Sequence, residues 1–410
     1  MARTPEVEHL TENGCSVLCL GCPEGMLFGI DYSAWTVGPR FMGVKLVPPG
    51  LHYIYCSATA EDVGVSRTGF FLFMKPQDVD VFRWDAETEE LVRLENQDEE
   101  ARYADGVRNF DFDAHLGPYP LQLRAQWSEL TRHISVGLLS KIEPISRVVR
   151  SKRTEYDVGQ PETTEASPAA QQTAEGAGED MEDCGEDAPM DVESSQTSRQ
   201  QQPDLGQGSR LESNYGAGNL FFSALPRSRK GRGVNPEETT RLHMDRSAQL
   251  EAMIAREYRG QEFGILGELQ LAYIAFLLGQ NCDGFDQWRA LLQMLCSCES
   301  ATPTRPELFS ELCRTFYAQL DQAPSDLFGD DLTRDNFLGS CAVALLEICD
   351  AETSPPKLRR RCGKVRELVQ QKFGLSVEDL ALLGEDAPQL VEADGRDLID
   401  LSGSGLAAMD

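Results

Sequence analysis

Histidine is scarce in this 410-residue chain: His9, His52, His115, His133 and His243 are all there are, and none lies three to five residues from another. That spacing and the lack of an HExxH run exclude the helical zinc-protease arrangement. No GxSxG elbow occurs, and the pair Gly363-Lys364 is followed by Val365, where a phosphate loop needs Ser or Thr to hold magnesium. Basic residues are in short supply, with 38 Lys and Arg against 67 Asp and Glu and a net charge of −29. Affinity for a phosphate backbone rests on Lys and Arg displacing counterions, so broad electrostatic binding to nucleic acid is excluded. Long apolar runs are missing as well. The longest, residues 271–278, falls far short of the roughly 18 residues of a membrane-spanning helix, and the start MARTPEVEHLTEN is too polar for a secretory leader. The expectation is a soluble, intracellular, non-enzymatic chain with no cofactor.

Cysteine, in contrast, is plentiful at twelve. Cys19 and Cys22 make one CxxC and Cys296 and Cys298 a CxC, but no matched second pair accompanies them, so no metal site is read here. Reduced thiols serving as small apolar core residues fit better. Close carboxylates such as Asp111 and Asp113, or Asp330 and Asp331, suit turns and helix caps better than acid–base work.

A hydrophobic fraction of 41% is enough for at least two cores. In the first part, β-prone runs recur at 17–20, 26–30, 44–47, 52–56, 69–74, 79–84 and 91–94, separated by Gly and Pro, which is the pattern of a β-sandwich. Pro48-Pro49-Gly50 punctuates two of them, and Trp35, Tyr53 and Tyr55 supply aromatic surface for a core. In 79–84, Val79 and Val81 fall on one face and Phe82 and Trp84 on the other, so both faces are covered. Helical patterning follows, with Trp127, Leu130 and Ile134 on one side, as an appendix closing one side of the sheet.

Residues 151–220 change character. Between Glu175 and Glu193 there are nine acids and no Lys or Arg, among small polar residues, and such a segment buries too little to offset its ordering entropy. It reads as a disordered linker, after which the apolar run FFSALP at 221–226 re-enters the folded body. Residues 221–384 read as helices throughout. Leu269, Ala272, Tyr273, Phe276 and Leu277 share a face, and Leu271, Ile274 and Leu278 make the same helix apolar all round, which places it at the centre of a bundle. The basic run KLRRRCGKVR at 357–366 carries Leu358, Cys362 and Val365 at helical spacing, which favours a solvated helix face over an RNA contact. The run RSRKGR at 227–232 suits an import signal. Residues 385–410 form an acidic tail with two brief apolar islands.

Three blocks are more specific than these patterns: residues 28–55 (FGIDYSAWTVGPRFMGVKLVPPGLHYIY), 116–120 (LGPYP) and 266–295 (LGELQLAYIAFLLGQNCDGFDQWRALLQML). They resemble the AAR-type splicing factors, the A-one-cistron family of U5 snRNP assembly chaperones. The resemblance implies an α+β multidomain chain: an N-terminal β-sandwich-like domain (1–150) with a helical appendix, the linker (151–220), a C-terminal all-α, VHS-like helical domain (221–384) and the tail (385–410). It implies a monomeric factor, cytoplasmic and nuclear, that binds the RNase H-like and Jab/MPN domains of the large U5 snRNP scaffold protein and holds off the particle's helicase until maturation. Partner contact through the tail maps onto Pro388, Gln389, Leu390, Val391 and Glu392. Phosphorylation at Ser223 or Ser228, beside Arg227, Arg229 and Lys230, is expected to alter docking by adding about −1.5 to −2 charge. A helical adaptor in protein trafficking and a direct RNA-binding factor stay open as other readings.

Overall fold

The computed structural model describes residues 5–59, 67–151, 220–226, 245–323, 337–350 and 354–373. The class is α+β, with two β-sheets in the first part of the chain and helices alone in the rest. The described residues after α1 (Pro5–Asn13) form β1 (Cys15–Leu20), β2 (Leu27–Ile30), β3 (Ser33–Thr36), β4 (Gly43–Val47), β5 (Gly50–Ser57), β6 (Thr68–Met74), β7 (Val79–Asp85) and β8 (Glu90–Arg93). Next come α2 (Gln97–Arg108), β9 (Leu116–Pro118), α3 (Arg124–Leu130), α4 (Val136–Ile142) and β10 (Val149–Arg150). The later helices are α5 (Ser247–Glu257), α6 (Gly264–Leu277), α7 (Cys282–Leu295), α8 (Pro306–Gln322), α9 (Phe337–Cys349) and α10 (Pro356–Phe373).

One sheet has the order β8-β7-β1-β4-β9, the other β10-β6-β5-β2-β3. All seven β-prone runs of the sequence lie in these strands. Three short strands, β3, β9 and β10, carry no such signal. β9 lies within LGPYP and pairs in parallel with β4, Gly43 opposite Leu116. Proline is tolerated there because β9 is an edge, where a missing N–H costs no ladder bond. β4 and β5 are not a hairpin: Pro48-Pro49 lead the chain out of the first sheet and Gly50, at φ 139°, starts β5 in the second. The sequence places Trp35 in the core with Tyr53 and Tyr55; the structure puts it on edge strand β3, 39% exposed.

Between the sheets lie Val17, Cys19, Phe28, Ile30, Val44, Ile54, Cys56, Phe70, Leu72 and Phe82. β7 shows why both its faces are apolar: Phe82 points into this layer, while Val81 packs with Leu18, Leu20 and Leu94 beneath Tyr103 and Val107 of α2. β5 is two-faced in the same way. Ile54 and Cys56 face the inter-sheet layer, and the alternate residues Leu51, Tyr53 and Tyr55 join the core that holds α3, α4 and α5 to α10. Close approach across this strand needs glycine. A Cβ on Gly29 would stand 2.2 Å from the Tyr55 ring, and one on Gly279, just past α6, 2.6 Å from the Tyr53 hydroxyl.

That shared core makes residues 1–152 and 218–410 one compact unit instead of two bodies on a tether. α6 is its pillar, buried from Ile265 to Ala275 on every side and packed against α4, α7 and α8. Hydrogen bonds stitch the seam. Trp127 Nε1 donates to the Leu51 carbonyl (2.6 Å), Arg67 to the Leu278 carbonyl (2.7 Å) and Asn281 Nδ2 to the Arg150 carbonyl (2.9 Å). Arg314 of α8 holds Glu129 of α3 through two N–H···O bonds, the bidentate geometry that makes such pairs strong. α8 and α10 run side by side in the same direction, with Lys357 on Glu307 and Arg361 on Glu311. The basic run of α10 is thus largely engaged with neighbouring helices. The linker and tail readings fall outside the described residues.

A single core predicts a single transition. Hydrogen exchange should give β5 and α6 the same, global opening free energy, and Tyr53→Ala should lower it by about 3–5 kcal/mol in both. Independent protection of the two elements would refute the shared core.

Candidate functional site

Two of the three specific sequence blocks meet at one buried point between the sheets. β2 ends at Ile30, and Asp31 turns the chain toward β3 with a left-handed φ of 53°, a conformation Asp tolerates through its short polar side chain. Asp31 Oδ1 accepts the Tyr53 backbone N–H (2.9 Å), and Oδ2 accepts the Tyr119 hydroxyl (2.7 Å) and lies 2.7 Å from His52 Nδ1. His52 Nε2 lies 2.7 Å from the Pro48 carbonyl. A carbonyl only accepts, so Nε2 carries a proton; the carboxylate asks the same of Nδ1, and the ring is an imidazolium. Burial pushes the His52 pKa down, but the charge and hydrogen bond of Asp31 outweigh it and hold it above the ordinary value. Burial and Asp31 together push the Tyr119 hydroxyl far up, so it stays a donor.

The set looks like acid–base machinery, yet Asp31 is 1% and His52 2% exposed, and no Ser or Cys nucleophile touches the ring. What it can do is lock β2, β5 and the segment after β9 together. LGPYP supplies its tyrosine to this lock.

A second buried node fixes the return of the chain. Glu268 sits in α6 with no exposed surface. It accepts from the Ser223 backbone N–H and hydroxyl (2.7 Å each), the Tyr258 hydroxyl (2.7 Å) and Gln287 Nε2 (2.8 Å). Four donors satisfy a carboxylate that would otherwise be too costly to bury. Lys141 Nζ adds a bond to the Ser223 hydroxyl (3.0 Å) and a salt bridge to Glu257 (2.9 Å). The sequence reads Ser223 as a phosphorylation candidate; the structure buries it, with its hydroxyl proton given to Glu268, so a kinase cannot reach it in this state and a phosphate would face a buried carboxylate. Ser228, and the tail residues Pro388, Gln389, Leu390, Val391 and Glu392, lie outside the described residues. Glu268 carried a readable signal, a lone carboxylate in an otherwise apolar helix, which must find partners.

Two open surfaces remain for partners. A cavity of about 390 Å³ lies where α3, α8 and α10 meet, lined by Glu129, Arg314, Tyr317, Asp321, Arg361 and Lys364. Another of about 540 Å³ opens between the edges β3 and β9, lined by Trp35, Phe41, Pro118, Tyr119 and Pro120. The first is charged and carries the half-exposed Tyr317; the second is aromatic and proline-rich. Among the described residues no group of three His, Cys, Asp or Glu could hold a metal ion, and no helix is long and apolar enough to cross a membrane.

Comparison with known proteins matches both parts of the chain. The family profile "AAR2 N-terminal domain" matches residues 13–144 and "AAR2 C-terminal repeat region" residues 222–378. The "Protein AAR2 homolog" of Mus musculus is 32% identical over 96% of this chain and 99% of its own length. The homolog of Homo sapiens is 32% identical over 95% and 96%, and that of Caenorhabditis elegans 28% over 91% and 97%.

Removing one partner of a buried pair strands the other, so Asp31→Ala should cost about 3–5 kcal/mol in urea unfolding. Because the His52 pKa is raised on folding, its contribution is complete below about pH 6.5, the unfolded value, and is lost as pH rises through the folded value. Nitrogen NMR should therefore find both ring nitrogens protonated just above that pH; a neutral ring would contradict the lock. Ser223→Glu should open residues 220–226 to limited proteolysis, whereas Ser223→Ala, losing one bond to a charged acceptor, should cost about 1.5–3 kcal/mol and leave them protected.

Proposed function

The chain belongs to the AAR2 family, and from that premise we propose that it is a non-enzymatic splicing factor that chaperones assembly of the U5 snRNP. It binds the RNase H-like and Jab/MPN domains of the large scaffold protein of that particle and, while bound, holds off the helicase. The observation that carries this reading is that both family profiles match, and that the two matched regions share one core.

A single rigid body suits competition. A ligand that occupies an overlapping surface lowers helicase binding by mass action and needs no catalytic step, and a preformed surface loses little entropy on docking. The charge balance points the same way. The chain carries net −29, and Arg305, Arg314, Arg361, Arg366, Lys357 and Lys141 are held in ion pairs with its own carboxylates. Little positive charge is left to track RNA, so the link to the particle runs through protein. The tail residues 388–392 add a strand to the scaffold's sheet, where main-chain bonds supply affinity. The factor acts as a monomer in cytoplasm and nucleus.

The test is a purified mixture at low salt. The full chain should co-elute with a scaffold fragment holding both domains, and helicase added afterwards should bind that complex at least about tenfold more weakly than free scaffold. Deleting residues 385–410 should weaken the complex and leave the fold intact. Helicase and this chain bound together on one scaffold, or retention on naked U5 RNA in place of the protein, would overturn the proposal.

A further inference from the structure

Eleven cysteines lie among the described residues, nine of them buried and two, Cys22 and Cys282, half-buried. Cys22 differs from Cys282 in having a second thiol built against it. β1 carries Cys19 into the inter-sheet layer with no exposed surface and ends at Leu20. Gly21 then adopts a left-handed φ of 71° and bends the chain, so that Cys22 packs back onto the cluster that contains Cys19. The Cys19 thiol donates a hydrogen bond to the Cys22 sulfur. One sulfur is reachable from solvent and the other waits behind it.

We propose that Cys19 and Cys22 form an oxidisable dithiol, in which a small hydroperoxide reacts at Cys22 and Cys19 closes the disulfide. The bond from Cys19 lowers the Cys22 pKa, and the same bond with burial holds Cys19 well above its ordinary value. Cys22 is then the nucleophile and Cys19 the proton-bearing resolving group, the division of labour expected of a reactive CxxC pair. The Cys22 thiolate attacks one peroxide oxygen. The O–O bond breaks, the leaving oxygen takes a proton to become water (or an alcohol), and Cys22 becomes a sulfenic acid. Cys19 gives its proton to the sulfenic hydroxyl as its sulfur attacks Cys22; the S–O bond breaks, water leaves and the S–S bond forms. Two thiols lose two electrons and one hydroperoxide gains them.

Other close thiols in the molecule serve as internal contrasts. Cys296 meets Cys341 and Cys313 meets Cys349 with the same sulfur hydrogen bonding, but all four are buried in the helical core, where no oxidant reaches. Cys15, four residues before Cys19, is fully buried, donates to the Lys75 carbonyl (2.9 Å) and has its pKa pushed up to about 11.

The reduced full chain is treated near neutral pH with hydrogen peroxide at a small excess, alkylated, digested and read by mass spectrometry. The peptide holding Cys15, Cys19 and Cys22 should lose two hydrogens before any other cysteine changes, with Cys15 still alkylated, and dithiothreitol should restore it. Without peroxide, iodoacetamide should label Cys22 at least about tenfold faster than Cys15. In Cys19→Ser, a dimedone adduct should accumulate at Cys22, because the resolving thiol is gone. First oxidation at Cys282, Cys22 passing to sulfinic acid with Cys19 present, or no change at Cys22 would each overturn the proposal.

Discussion

An apolar helix that must be covered on every side is the constraint from which the rest of the molecule follows. α6 can hide Leu266, Leu269, Leu271, Tyr273 and Ile274 only if neighbours surround it, and the later helices supply only part of that cover. The rest comes from α3 and α4, which lie on the sheet through Leu51, Tyr53 and Tyr55. Neither half has a complete core without the other. Burial of several such side chains, each contributing about 1.5–3 kcal/mol, outweighs what a tethered, two-body arrangement would gain in freedom.

Polar atoms inside this core are placed to specify it. Glu268 and Gln270 sit two residues apart in α6 and reach opposite groups. Glu268 holds the returning segment at Ser223, and Gln270 accepts from the His133 N–H and donates to the Glu129 carbonyl. A helix turned about its axis would strand both, which costs more than any single apolar contact returns. Asp31, His52 and Tyr119 act in the same sense between the sheets: three segments distant in sequence meet because each carries one member of a set that is satisfied only when complete.

Shape and not charge is therefore what the molecule offers to partners. Its basic side chains are largely engaged with its own acids, its buried acids are satisfied, and its open surfaces are the cavity beside Tyr317 and the mouth beside Trp35. A preformed surface of this kind suits a factor that occupies a site and later leaves it. The Cys19–Cys22 pair lies in the strand at the middle of the first sheet, so chemistry there touches the layer on which both open edges rest.

Periodicity alone was enough for the α+β class, for the seven main strands and for the helices, because alternation of two and repeats of three and four are local properties that residues such as Phe82 and Leu269 carry by themselves. The pairing of apolar faces on β7, the re-entry at 221–226 and the centrality of α6 were equally legible, since each follows from how much apolar surface a segment must hide. Strand β9 was not, for Leu116-Gly117-Pro118 has no strand propensity and exists as one only because β4 lies alongside it. Nor could any local pattern show Trp35 outside, Ser223 inside, or His52 charged: each is decided by which distant group arrives next to it. Sequence sets what a segment must bury, while the fold alone sets which segment covers it, because burial is a sum over one side chain's atoms and contact requires two.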